Sequence, residues 1–176
     1  VTPVICTGNV ETWLNTLMQT VHKTVHTIVR RAWQNLGDSG FDLLRFEDTF
    51  CAQVGLLGIQ LLWTRDAENA LNECRYDREI MKKTNDYFLE LLNTLIDKTT
   101  QEMTKLDRVK FETLITIHVH QRDIFNDMVQ LKVRTPNDFE WQKQCRFYYD
   151  EDFDKCRISV TDVDFTYCDE YTGSGF

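Results

Sequence analysis

The sequence predicts a mainly α fold, an elongated antiparallel helical bundle with a small β-rich C-terminal end. Three observations carry that prediction. Pro and Gly are scarce, at two and seven in 176 residues, below the ~5% and ~7% of an average chain. Between Ile59 and Thr135 neither occurs, so turn-punctuated β structure is excluded over that stretch. Apolar residues recur there at steps of three and four, and the texture changes to short alternating runs only after Gln144.

The first element is the longest. Val10, Leu14, Leu17, Val21, Val25, Ile28, Ala32 and Leu36 share one helical face. Asn9 suits the N-cap, Glu11 the first turn, and Gly37 the stop. After a loop at Gly37–Gly40, the step resumes at Phe50, Val54, Leu57 and Leu61 and predicts a helix over about 48–63. Gly55 and Gly58 cost that helix about 1 kcal/mol each relative to Ala, which close approach of a neighbouring helix would explain. Thr64 and Asp66 read as the start of a further short helix.

A third long pattern covers about 76–103, with Ile80, Thr84, Tyr87, Leu91 and Leu95 on one stripe and Phe88, Leu92 and Ile96 beside it. The stripes of the 10–36 and 76–103 helices are the predicted seam of the bundle. Residues 106–131 fit both a helix and, at Leu114–Val119, a strand; the absence of any turn residue favours helix. Thr135-Pro136 predicts a short helix over 136–144. Cys145–Tyr149, Arg157–Thr161 and Val163–Tyr167 then read as two or three short strands, with an acidic turn at Asp150–Asp154. The expected division is a helical body at 1–144 and a strand-rich end at 145–176.

Composition excludes several function classes. The net charge of −8 and pI near 5.0 disfavour a nucleic-acid surface. No apolar run reaches the ~20 residues of a membrane span. No export signal is visible and the six cysteines show no C-x-x-C spacing, so reduced thiols in an intracellular protein are expected. The chain starts at Val1 without Met, as a piece of a longer protein would. Neither a phosphate loop, a G-x-S-x-G elbow nor an H-E-x-x-H pair is present.

His118 and His120 cannot share an ion on a helix, because residues two apart point about 200° apart. They are expected to hydrogen-bond or pack at a helix surface. His22 and His26 share a face but lack carboxylates beside them, and are expected to be solvated. No catalytic residue, cofactor or metal is predicted. Trp13, Trp33, Trp63 and Trp141 read as core or inter-module anchors. Aromatic residues from Phe139 to Tyr149 are the expected joint between modules, with Arg146 clamping a carboxylate or carbonyl; closing the fragment's own core is the other reading.

Several strings, in order, resemble the dynein heavy chain, in the C-terminal part of its linker. They are Val10–Leu14, Leu61–Thr64 with Asp66–Glu68 and Ala70-Leu71, Thr116–His120 with Arg122-Asp123, Asp138–Gln144 with Arg146–Tyr149, and Asp164–Tyr167 with Glu170, Tyr171 and Gly173. Trp63, Thr64, His118, His120, Arg122, Asp123, Phe139, Trp141, Arg146, Tyr148, Phe165, Tyr167, Glu170 and Tyr171 carry the signature. Gln53–Gly58 is similar to axonemal rather than cytoplasmic members.

The resemblance implies a lever that couples ATP-driven changes in an AAA+ ring to movement. The ring and the remaining linker would be its partners, the microtubule would be reached only through the whole motor, and neither nucleic acid nor membrane would be bound. It implies a place in the axoneme of a cilium or flagellum, with the phosphate loop beyond Phe176. Thr172 departs from the family's large apolar residue. A stand-alone helical adaptor, binding a partner through its apolar stripe, is the alternative reading.

Overall fold

The computed structural model describes residues 2–168. The expectations attached to Glu170, Tyr171, Thr172 and the Gly173–Phe176 end lie outside the described residues. Six helices precede a three-stranded sheet: α1 Val10–Leu36, α2 Leu43–Thr49, α3 Ala52–Glu73, α4 Ile80–Thr99, α5 Lys105–Gln130, α6 Phe139–Gln142, β1 Arg146–Asp150, β2 Lys155–Val160 and β3 Val163–Thr166. The fold is mainly α with a small antiparallel sheet, in the order β1-β2-β3.

α3 is the central element. Val54, Leu57, Ile59, Leu61, Leu62, Trp63, Ala67 and Leu71 are all buried, so apolar contacts surround it. One cluster joins it to the end of α1, to α2 and to the sheet; a second joins it to α4, α5 and α6; a third joins α2, α3, α4 and α5. Leu91 packs against all three.

The seam is not the predicted one. α4 lies along α5, because a five-residue connection (100–104) turns the chain back on itself. Phe88 meets Phe125 edge-on at 5.1 Å, and Leu95 and Leu114 share a cluster further along, as an antiparallel pair requires. The buried positions of α4 are Met81, Phe88, Leu92 and Leu95, whereas Tyr87, on the predicted stripe, and Ile96, beside it, are exposed. α1 packs on α3 and the sheet over its second half, with Val29, Ala32 and Leu36 buried and Val25, Ile28 and Trp33 partly buried beside them. Upstream, Val10, Leu14, Leu17, Met18 and Val21 are 40–58% exposed.

Three boundaries also differ. The expected 48–63 helix is two elements, α2 and α3, broken at Phe50. Thr64 starts no new helix: its Oγ1 donates to the Gln60 carbonyl at 2.9 Å and α3 runs on to Glu73. α6 is shorter than expected and is capped by Asp138, whose carboxylate accepts from the Glu140 N–H at 2.9 Å, not by Thr135. At the start of α1, Asn9 takes the N-cap position without a side-chain bond to the helix.

Candidate functional site

Two junctions attach the sheet to the helices. At the first, the β1 residue Phe147 donates its N–H to Thr64 Oγ1 at 3.0 Å, inside the core. One turn further along α3, Glu68 Oε1 accepts from Tyr148 Oη at 2.5 Å and from Trp141 Nε1 at 3.2 Å. Trp141 is fully buried and tilted against Trp63, with ring centroids 5.2 Å apart. Arg146 Nη2 donates to the Thr161 carbonyl at 2.8 Å, and Nη1 to Tyr148 Oη at 3.3 Å. The Arg157 guanidinium lies 4.7 Å from the centre of the Tyr148 ring. Burial, and then the Glu68 carboxylate, hold the Tyr148 phenol well above its usual pKa. One helix turn of α3 thus fixes α6 and β1 together through charge-assisted bonds.

The second junction joins α1 to the β1–β2 turn. Asp154 sits there with φ +51°, a left-handed conformation that Asp tolerates better than most residues. Its carboxylate takes both Arg30 Nε, at 3.0 Å, and Arg30 Nη2, in a fork, and also accepts from Tyr149 Oη. His26 Nε2 donates to the Asp154 carbonyl at 2.6 Å. One turn on, Trp33 stacks on Tyr149 at 5.3 Å and donates to Glu151 Oε1 at 2.9 Å. Hydrogen bonds from Tyr149 and Arg30 lower the Asp154 pKa, and burial leads the rise of Tyr149 to about 12. Beside this cluster is a groove of about 650 Å³, floored by Val25, Val29, Cys156 and Tyr167.

The structure gathers Trp63, Thr64, Trp141, Arg146 and Tyr148 at the first junction. Tyr167 accepts a bond from Gln53 Nε2 at 3.1 Å near the second. Other signature residues stand apart: Phe139 and Phe165 are exposed, His120 is exposed, and Arg122 and Asp123 pair with each other on α5.

His118 corrects an expectation. It is 2% exposed and faces the core, because it shares the α5 face of Leu114 and Phe125. Burial lowers its pKa to about 4. His26 is exposed as expected but is tied to Asp154 rather than simply solvated. Glu68, Arg30 and Asp154 were not singled out from sequence as partners in a joint, since nothing local marks a residue whose contact lies more than 70 positions away.

Among the described residues, no group of three or more His, Cys, Asp or Glu side chains is placed to hold a metal ion. Nor, among them, is any helix long and apolar enough to cross a membrane.

No family model matches the chain. It is 56% identical over 171 residues to dynein axonemal heavy chain 5 of Rattus norvegicus. It is 55% identical over 170 residues to dynein axonemal heavy chain 8 of Homo sapiens, and 40% identical over 172 residues to the dynein gamma chain, flagellar outer arm, of Chlamydomonas reinhardtii. Each match covers 97% of this chain, and the chain spans 4–5% of the length of these relatives. At that identity, over nearly its whole length, the chain belongs with the dynein heavy chains as a short segment of them.

Proposed function

We propose that this dynein heavy chain segment is part of the motor's linker, a lever without catalytic machinery of its own that works in the axoneme of a cilium or flagellum. In this reading the AAA+ ring and the rest of the linker are its partners. ATP is turned over elsewhere in the same polypeptide, and the microtubule is reached only through the complete motor.

The observation that carries the reading is mechanical. α3, α4 and α5 pack along their lengths, and α3 is keyed to β1 and α6 at Thr64 and Glu68. A displacement at the sheet therefore reaches the helices through a core with few voids to absorb it. The exposed stripe on α1 supports the reading, because an apolar face of this kind marks an interaction site.

The test is the double variant Glu68→Gln/Tyr148→Phe in a full-length heavy chain, which preserves shape at the key and weakens its hydrogen bonds. ATP turnover should be retained while microtubule gliding slows. Equal loss of both in one preparation would sink the lever reading. A stand-alone adaptor would use the same α1 stripe; self-association of the chain, argued below, separates the two.

A further inference from the structure

We propose that Asp154 is the catch of a surface latch that sets the direction in which α1 leaves the fold. The inference names the joint that holds one arm of the lever, and to that extent it rests on the lever reading.

α1 is anchored in two different ways. Its last turns are buried: Val29, Ala32 and Leu36 pack on α3, and Arg65 Nη1 donates to the Leu36 carbonyl at 2.8 Å. That end is a pivot. Val25 and Ile28 pack partly buried beside that end, so the free arm runs from Val10 to Thr24, about 22 Å at 1.5 Å per residue, and Val10, Leu14, Leu17, Met18 and Val21 on it are exposed. Along the packed half of α1, His26, Arg30 and Trp33 fall at i, i+4 and i+7 on the side facing the β1–β2 turn. All three close on that turn: His26 on the Asp154 carbonyl, Arg30 on its carboxylate, and Trp33 on Tyr149 and Glu151.

The energetics fit a catch better than a weld. The Arg30 and Asp154 side chains keep 49% and 33% of their exposure, so solvent screens the pair and its contribution to global stability is small. The bidentate geometry nevertheless fixes one orientation of the guanidinium against the carboxylate. Asp154 is also held in a sparsely populated backbone conformation, which persists where surrounding contacts over-determine it. A contact that is weak in energy, specific in geometry and close to a pivot gives large angular control over a long arm at little cost in stability. Two discrete arrangements, latched and released, are what a coupling element requires.

The test uses spin labels at Thr16→Cys and Tyr76→Cys in the 176-residue chain carrying Leu14→Gln/Leu17→Gln/Val21→Gln, the monomeric background argued below, with the exposed Cys6, Cys51, Cys145 and Cys168 changed to Ser. Pulsed dipolar spectroscopy should give one narrow distance population at low salt. In Asp154→Asn, which keeps the shape and tolerates the same backbone, and in Arg30→Gln, the distribution should widen at least about twofold. Raising salt to about 1 M, where the Debye length falls to about 3 Å, should widen the parent distribution in the same direction. Unchanged distributions in both variants and in salt overturn the latch. So does loss of helical circular dichroism in the variants while the parent is insensitive to salt, since the cluster would then support the fold itself. Neither ATP nor microtubules enter the measurement, so its failure is distinguishable from failure of the lever reading.

Discussion

At the scale of single residues, two buried titratable groups oppose one another. Glu47 is fully buried against Lys110, and loss of hydration pushes its pKa up to about 7 from 4.5 despite the ammonium 3.4 Å away. His118 moves down to about 4 from 6.5, also by burial. The signs follow from proton uptake. Between pH 4.5 and 7 the folded Glu47 holds a proton that the unfolded chain has lost, so its contribution falls as pH rises. Between pH 4 and 6.5 the unfolded His118 holds a proton that the folded chain lacks, so its contribution rises with pH. Each effect is on the order of 3 kcal/mol at full span, and they offset over the shared window. Glu47→Gln should therefore unmask a urea midpoint that rises from pH 4.5 to 6.5, and His118→Gln one that falls from pH 4.5 to 7. Parallel profiles for both variants would contradict the burial argument. Thr64 makes a separate prediction. Val there would remove the hydroxyl that accepts from the buried Phe147 N–H and cost about 1–3 kcal/mol in urea unfolding, whereas Ser should cost well under half of that.

At the scale of elements, α2 explains the two glycines of α3. A Cβ on Gly55 would stand 2.2 Å from Glu47 Oε2, and one on Gly58 would stand 2.4 Å from Phe46 Cζ. The close approach read from the sequence is real, but it is made by two side chains of a seven-residue helix that the sequence did not reveal. Gly58→Ala presses on a buried ring, and should lower thermal stability by about 1–3 kcal/mol despite the better helix former, with α2 losing hydrogen-exchange protection before α4 and α5. A gain in stability would show that Phe46 can step aside.

The same contrast runs through the fold. α1, α5 and the three strands were legible because local periodicity and turn residues specify them. Thr64 misled because a back-bonded Thr inside a helix looks, in sequence, like a cap. The α4 stripe was centred on Tyr87 and Leu91, whereas the buried face is centred on Phe88 and Leu92, which the sequence placed beside it, because the apolar positions are broad enough to serve either; Leu95 is common to both. The α1–α4 seam failed for a different reason: which helix meets which depends on connection length and on three shared core clusters, not on either stripe alone. The candidate site divided likewise. Trp63, Thr64, Trp141, Arg146 and Tyr148 were marked by resemblance, but the role of Glu68, which joins Trp141 to Tyr148, became visible only in space.

At the scale of the whole molecule, the unequal treatment of α1 is the feature to explain. α3, α4 and α5 each bury an apolar face in the core along their length, while the first half of this helix buries none and presents Leu14, Leu17, Met18 and Val21 to solvent. The same helix carries Lys23, Arg30 and Arg31 against the single acid Glu11 in a chain whose net charge is −8, so its surroundings differ in charge as well as polarity. A row of this length exceeds the scattered apolar residues that any surface tolerates, and removing it from water would recover roughly 25 cal/mol per Å². A lever segment taken by itself should satisfy that surface indiscriminately. Sedimentation velocity of the 176-residue chain should show concentration-dependent association without a single limiting stoichiometry. The variant Leu14→Gln/Leu17→Gln/Val21→Gln should be monomeric with unchanged helicity, because those side chains support no part of the described core. A finished adaptor would behave otherwise, forming a monodisperse monomer or one defined oligomer before any substitution, and that result would move the function from force transmission to partner binding.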